Sequence, residues 1–103
     1  MARKTIFITG GGSGIGRATA RHFGAQGWFV GIADVNAAGI DETAALLPEG
    51  ASSRHLMDVR DRDQWKAALA DFAAVGGDRL DVLFNNAGIG SGGQFLDMDS
   101  QEA

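Results

Sequence analysis

The sequence has no cysteine, no tyrosine, one proline and two histidines in 103 residues. Without cysteine it can form neither a disulfide nor a thiolate metal site. His22 and His55 have no carboxylate or second histidine at metal-ligand spacing, so each is expected to pack in the interior or lie at the surface, and no metal is expected. No apolar run approaches the roughly 20 residues that cross a bilayer, and no basic cluster offsets the net charge of -4. Neither a membrane nor a nucleic-acid partner is therefore expected.

The composition that remains is that of an ordinary globular protein, with 45% hydrophobic and 21% charged residues. A chain of 103 residues can form one domain at most. Its first residues lead into a strand-length run rather than the apolar core of a signal peptide, so a cytoplasmic location is expected.

Apolar runs alternate with segments of helical spacing along the whole chain. Strands are predicted at residues 4–9, 28–33, 53–57 and 80–84, with a glycine-rich loop at 89–98 and a further helix cap at Asp99 or Ser100. Strands that alternate with helices indicate a parallel sheet with right-handed crossovers. The predicted fold is a doubly wound α/β sheet of Rossmann type that stops after the fourth strand.

Three helices are predicted between these strands. Gly27 is expected to end the first, Asn36 and Asp61 to cap the second and third, and Gly76-Gly77 to end the third. The expected inward-facing residues are Ile15, Ala18, Thr19, His22 and Phe23 in the first helix, Ile40, Ala44 and Leu47 in the second, and Trp65, Leu69, Phe72 and Val75 in the third.

The stretch T-G-G-G-S-G-I-G at residues 9–16 follows the first strand and opens the first helix. Gly10 can take a tight turn, Gly14 lets a ligand approach the backbone, and Gly16 lets the helix pack closely on the sheet. The start of a helix offers unpaired N–H groups and the positive end of its dipole. This arrangement suits an anionic pyrophosphate, although such a motif also occurs as a plain glycine turn.

Polar residues follow the later strands at the same edge of the predicted sheet. Asp34 lies 18 residues after Gly16, close to the spacing of a carboxylate that binds an adenosine ribose. Its charge would repel a 2′-phosphate, and Ser13 occupies a place where a basic residue could have bound one. These residues favour NAD over NADP. A helix cap or turn is the alternative for Asp34, and Arg17 is expected to be a solvated surface arginine rather than a phosphate ligand.

The third and fourth strands end in two further polar pairs. Asp58 could accept from the amino group of adenine while the Val59 N–H donates to the ring, or Asp58 could simply begin a turn. Asn85 is expected to brace neighbouring strands, because an unpaired buried amide is costly. Asn86, with Ala87 and Gly88, is expected to face the cofactor.

Together, the glycine motif, Asp34, Asp58-Val59 and the N-N-A-G at residues 85–88 resemble the short-chain dehydrogenase/reductase family over almost the whole chain. The resemblance implies an NAD(P)(H)-dependent oxidoreductase acting on an alcohol or ketone, oligomeric when full length. It places residues 1–103 in the cofactor-binding domain, as its N-terminal part. It assigns Gly10, Gly14, Ile15 and Gly16 to the pyrophosphate, Asp34 to the adenosine ribose, Asp58 and Val59 to adenine, and Asn86, Ala87 and Gly88 to the adenosine half.

The family's catalytic Tyr-x-x-x-Lys pair, with its serine and helical asparagine, is not in this sequence, which has no tyrosine. No catalytic residue is therefore assigned, and the chain is expected to be the cofactor-binding half of a longer enzyme, inactive alone. One alternative is a module that binds NAD(H), or associates with a full-length relative through the open edge of its sheet, without catalysis. A methyltransferase using S-adenosylmethionine is a third possibility, which the Thr9 motif and the N-N-A-G ending disfavour.

Overall fold

A computed structural model describes residues 3–86 as a four-stranded parallel sheet with helices on both faces. The elements in chain order are β1 (Thr5–Thr9), α1 (Gly14–Ala25), β2 (Phe29–Asp34), α2 (Ala37–Ala45), β3 (Ser52–Leu56), α3 (Arg62–Gly76) and β4 (Val82–Asn85). The strand order is β3-β2-β1-β4. The predicted Rossmann-type α/β fold is confirmed. The loop predicted at 89–98 and the cap at Asp99 or Ser100 lie outside the described residues.

Alternate residues of the strands feed two separate cores, as the two-residue period of a strand requires. Ile6, Ile8, Val30 and Ile32 pack with residues of α1 and α2 on one face. Phe7 and Phe29 pack with α3 on the other. Every residue of β1 is buried, which explains its continuous apolar sequence. Over the described part of the chain, no helix has the length and hydropathy needed to cross a membrane.

The predicted inner face of α1 is largely wrong. Ile15 is 68% exposed, and Ala18 and His22 are exposed as well, whereas the buried residues of the helix are Gly16, Ala20 and Gly24. The physical reason is close packing at these positions, because a Cβ on Gly16 would lie 2.1 Å from the Gly10 oxygen and one on Gly24 would lie 3.0 Å from the Leu47 side chain. Of the larger residues expected there, Phe23 does pack against the core.

The other two helices follow their predicted faces more closely. Ile40 and Leu47 are buried with Ala44 packed beside them, and Phe72 is buried with Trp65 and Leu69 packed beside it. Val75 was placed wrongly, because it is 60% exposed and the buried face of α3 runs through Ala68 instead.

The predicted helix ends are also confirmed. The Asn36 carboxamide oxygen accepts from the Gly39 N–H at 3.1 Å, and the Asp61 carboxylate accepts from two N–H groups in the first turn of α3. Gly27 and Gly77 end their helices with φ of 89° and 87°, in the left-handed region that glycine adopts without strain.

The face of the sheet under α3 is aromatic. Phe7 and Phe72 meet edge to face, with ring centroids 5.2 Å apart. Both rings lie over Gly31, where an added Cβ would be 2.6 Å from the Phe72 ring and 2.7 Å from the Phe7 ring. The absence of a side chain at Gly31 therefore makes space for the pair.

His55 borders the same aromatic cluster. It is 6% exposed, its ring lies 5.3 Å from that of Phe7, and its Nε2 is 2.7 Å from the Ser53 hydroxyl. Burial lowers the pKa of His55, and the nearby Asp71 carboxylate opposes that shift. His22 is exposed beside Gln26. The two histidines thus have the structural roles expected for them.

The buried His55 predicts acid destabilisation. A histidine whose pKa is lowered by folding favours the neutral folded form, so its contribution is complete above pH ~6.5 and is lost as pH falls towards the lowered value. We expect the free energy of unfolding to decrease between pH 7.5 and 5.5 by urea titration. H55Q should flatten that dependence, and H22Q should leave it as in the wild type. An unchanged slope in H55Q would contradict this account.

Candidate functional site

The glycine loop lies at the carboxyl end of β1, between β2 and β4 in the sheet. The helices after β1 and β2 cover one face and the helix before β4 covers the other, so the connections diverge at this point. Open parallel sheets bind ligands at such a switch point. Gly10 and Gly14 have φ of 68° and 56°, which favours glycine at both.

Gly16 brings α1 against this loop. A Cβ on Gly16 would lie 2.1 Å from the Gly10 carbonyl oxygen and 2.9 Å from the Gly11 Cα, so the two backbones are in direct contact. By contrast, an added Cβ on Gly14 meets nothing within 4 Å. Gly10 therefore lies in a turn as predicted, Gly16 allows close packing against the loop rather than against the sheet, and Gly14 faces open space.

The N-terminus of α1 presents free donors. Within residues 3–86 no acceptor is found for the N–H groups of Ser13, Gly14 and Ile15, and the Ser13 side chain makes no capping bond. All three residues are exposed. Ile15, placed inward from the sequence, is therefore exposed at the start of the helix, where the backbone donors of a helix have no partner within it.

The carbonyl groups of Gly10, Gly11 and Gly12 are each engaged by a side chain from outside the loop. The Asn86 amide donates to the Gly10 oxygen at 3.3 Å, and the Thr43 hydroxyl donates to the Gly11 oxygen at 2.7 Å. The Arg17 guanidinium donates to the Gly12 oxygen. Three consecutive carbonyls are thus held by three different segments of the chain.

Asp34 contacts the loop directly. One carboxylate oxygen accepts from the Gly12 N–H at 2.9 Å, and the other accepts from the N–H groups of Val35 and Asn36 at 2.7 and 3.2 Å. A carboxylate has about four acceptor positions, so these three bonds orient it and leave capacity for a hydroxyl group. The structure therefore places Asp34 beside the glycine loop, as its spacing predicts.

Asp58 begins a turn, as the alternative from the sequence allowed: its backbone oxygen accepts from the Asp61 N–H at 2.9 Å. Its carboxylate binds the Arg60 side chain at 2.9 and 3.1 Å, and its own N–H donates to Gln64. Hydrogen bonds from the Arg60 guanidinium and backbone lower the pKa of Asp58 to about 2, so the group is ionised at neutral pH. The Val59 carbonyl accepts from the Trp65 indole at 2.6 Å.

Among the residues at the end of β4, Asn85 braces the strands as predicted, because its side-chain oxygen accepts from the Thr9 hydroxyl of β1 at 2.7 Å. Asn86 reaches the glycine loop through the bond to Gly10 already described. Ala87 and Gly88, expected along the adenosine half, lie outside the described residues. Asp34, Asn86 and the loop are therefore brought together, whereas Asp58 makes no bond to the loop.

Arg17 and Thr43 are the residues that sequence reasoning missed. Arg17 is not a solvated surface arginine, because its side chain is only 28% exposed and binds Thr43 at 2.9 Å as well as Glu42 at 3.0 Å. Thr43 is fully buried. The sequence did contain one indication of this role: Arg17 directly follows Gly16, so it lies at the edge of the contact between α1 and the loop.

Comparisons with known proteins agree with this architecture. The family model described as short chain dehydrogenase matches residues 4–103. The chain is 39% identical over 94 residues to meso-2,3-butanediol dehydrogenase of Serratia marcescens, covering 91% of this chain and 37% of that protein. It is 42% identical over 95 residues to 2,5-dichloro-2,5-cyclohexadiene-1,4-diol dehydrogenase of Sphingobium indicum, covering 90% and 36%.

Solved structures show the same likeness. Glucose dehydrogenase of Caenorhabditis elegans matches with a TM-score of 0.77 and 33% identity over 96% of this chain and 42% of that one. 3-Ketoacyl-(acyl-carrier-protein) reductase of Brucella melitensis, solved with NADH, matches with a TM-score of 0.74 and 29% identity, covering 80% and 33%.

The fold and these matches define a Rossmann-type region of the oxidoreductase class. The chain belongs to the short-chain dehydrogenase family and corresponds to its N-terminal portion. It spans only about a third to two fifths of the length of these relatives. Within residues 3–86, no three His, Cys, Asp or Glu side chains are grouped as a metal site requires.

The contact between Gly16 and Gly10 predicts that one added methyl group at position 16 destabilises the fold. Gly16→Ala should destabilise the fold by about 1 to 3 kcal/mol, because the loop backbone must move to admit the Cβ. Gly76→Ala is the matched control: its Cβ would lie 3.3 Å from the edge of the Phe29 ring, and it should cost less than about 1 kcal/mol. Urea titration of both variants measures the difference, and equal costs would contradict the model of backbone contact.

Proposed function

We propose that this chain is the NAD(H)-binding region of an NAD-dependent short-chain dehydrogenase, the N-terminal part of its Rossmann domain. The observation that carries the proposal is the placement of the Asp34 carboxylate beside the glycine loop, whose neighbouring N–H groups have no acceptor within residues 3–86. One side of the loop thus offers an acceptor for hydroxyl groups, and the other offers donors for a phosphate.

The described residues fit a dinucleotide. The N–H groups of Ser13, Gly14 and Ile15 would donate to the pyrophosphate, and the open space at Gly14 admits it to the backbone. Gly10 and Gly16 shape the loop that presents these donors. When bound, the nicotinamide cofactor supplies the site that gives or receives a hydride.

Asp34 supports NAD rather than NADP. Its remaining acceptor capacity suits the ribose hydroxyls, and its negative charge disfavours a 2′-phosphate. Arg17 does not offset that charge for a phosphate, because its guanidinium donates to Gly12, Gly39, Thr43 and Glu42.

Adenine would lie against Asp58 and Val59. The Val59 N–H has no acceptor within residues 3–86, which leaves it free to donate to the base. The Asp58 carboxylate would have to exchange one of its bonds to Arg60 for the adenine amino group, and both side chains are accessible enough for that exchange. Asn86, Ala87 and Gly88 would continue along the adenosine half.

The reaction proposed for the intact protein is hydride transfer between the nicotinamide and a small alcohol or ketone, in a homo-oligomer. Two relatives that share 39% and 42% identity with this chain have names that describe dehydrogenases of diols. This chain would bind and orient the cofactor, and the catalytic proton donor would be supplied from elsewhere, because the sequence contains no tyrosine.

A second candidate follows from the same missing tyrosine: a module that binds NAD(H), or associates with a full-length relative, without catalysing a reaction. Tight NAD binding by the 103-residue chain in a stable soluble form would favour this alternative. Aggregation of the chain alone, with binding restored in a longer reading frame, would favour the dehydrogenase.

The role of Asp34 predicts cofactor selectivity. The protein should bind NAD at least about tenfold more tightly than NADP, and D34N should reduce that ratio to less than about threefold, because the charge facing the 2′ position is removed. The ratio of two dissociation constants, measured by calorimetry, is insensitive to a general loss of stability. D41N, at an exposed carboxylate paired only with Arg54 at 3.1 Å, is the control and should keep the wild-type ratio. Equal affinity of the wild type for both cofactors would contradict the assignment.

The missing catalytic groups predict that the 103-residue chain does not turn over substrate. It should show no alcohol-dependent reduction of NAD above the rate without protein. The full reading frame, assayed with the same alcohols, provides the comparison. Turnover by the short chain at a rate near that of ordinary dehydrogenases would refute the proposal that it lacks the catalytic groups.

A further inference from the structure

The glycine loop has a fixed polarity along its backbone. Its peptide bonds are trans, so a carbonyl that points one way places the next N–H in the opposite direction. The Gly11 carbonyl points to Thr43, and the following Gly12 N–H points to Asp34. The Gly12 carbonyl points to Arg17, which turns the Ser13 N–H away from α2.

Thr43 links the two bonds that set this polarity. Its hydroxyl accepts from the Arg17 Nε at 2.9 Å and donates its single proton to the Gly11 oxygen at 2.7 Å. The residue is fully buried, so water cannot replace either bond. The Arg17 guanidinium also donates to the Gly12 and Gly39 oxygens, and it has no acceptor atoms with which to reverse the direction.

This pair, here named the Arg17–Thr43 clamp, matters for the charge that an anion would meet. A loop carbonyl that rotated towards the ligand would replace a donating N–H with a repelling oxygen. The clamp lies on the α2 side of the loop and holds two consecutive oxygens away from the free N–H groups. Its effect on a phosphate would therefore pass through the backbone.

We propose that Arg17 and Thr43 are positioning residues for phosphate binding, which act by fixing the loop polarity and not by contacting the ligand. The inference rests on the proposed function, because it concerns the same loop. It also separates two parts of the ligand: a phosphate-bearing nucleotide depends on the clamp, whereas a nucleoside that contacts only the ribose and base subsites does not.

The test measures binding of ADP and of adenosine to the full-length protein by titration calorimetry. T43V retains the volume and the Arg17 charge but removes the hydroxyl, and T43S restores it. R17K keeps the positive charge, but a single ammonium cannot bridge Thr43, Gly12 and Gly39 together. The controls are T5V, which removes another buried hydroxyl, bonded to the Arg79 oxygen at the opposite end of β1, and R21A at an exposed arginine of α1.

T43V and R17K should each weaken ADP at least about tenfold and adenosine less than about twofold, with T43S within about threefold of the wild type for both ligands. T5V and R21A should bind both ligands as the wild type does. If T43V does not fold, R17K decides the test with the same two ligands.

Two results would overturn the inference alone: wild-type ADP affinity in the clamp variants, or equal losses of ADP and adenosine, which would indicate a purely structural role. Failure of the wild type to bind ADP at all would overturn the proposed function, and with it the premise of the inference. The outcomes are therefore distinguishable.

Discussion

The contact between the bare backbones of Gly10 and Gly16 determines the geometry of the whole site. Because no side chain separates α1 from the loop, the first turn of the helix packs directly against the loop that follows β1. The same closeness accounts for the small inner face of α1, where only glycine and alanine are buried. The packing of α1 against the loop therefore sets the orientation of the N–H groups at the start of the helix, before any ligand binds.

Much of the fold could be predicted from the sequence because its signals are local. The continuous apolar sequence of β1, the caps at Asn36 and Asp61 and the glycines that end the helices each act over a few residues. The inner face of α1 could not be predicted from hydrophobicity, because a glycine contact reverses the usual rule that large apolar residues face inward. Val75 shows a smaller error, because it follows the buried Phe72 at the spacing of a helix face and is nevertheless 60% exposed.

The residues of the candidate site also divide into those that local signals predict and those that depend on packing between elements. Asp34 lies where its spacing places it, since strand length and loop length fix that position. The Arg17 and Thr43 contacts join residues 26 positions apart and depend on how α1 and α2 pack, which no periodic pattern encodes. In the structure Asp58 pairs with Arg60, whereas the sequence favoured a bond to adenine. Residue type alone does not show which of these two partners an aspartate takes.

The aromatic face of the sheet has a consequence for how relatives of this chain can vary. The rings of Phe7 and Phe72 fill the space that a side chain at Gly31 would need. The three residues come from two neighbouring strands and a helix. A larger residue at position 31 would have to be accompanied by a smaller one at position 7 or 72. The three positions should therefore change together through evolution, as a single steric unit spread over most of the chain.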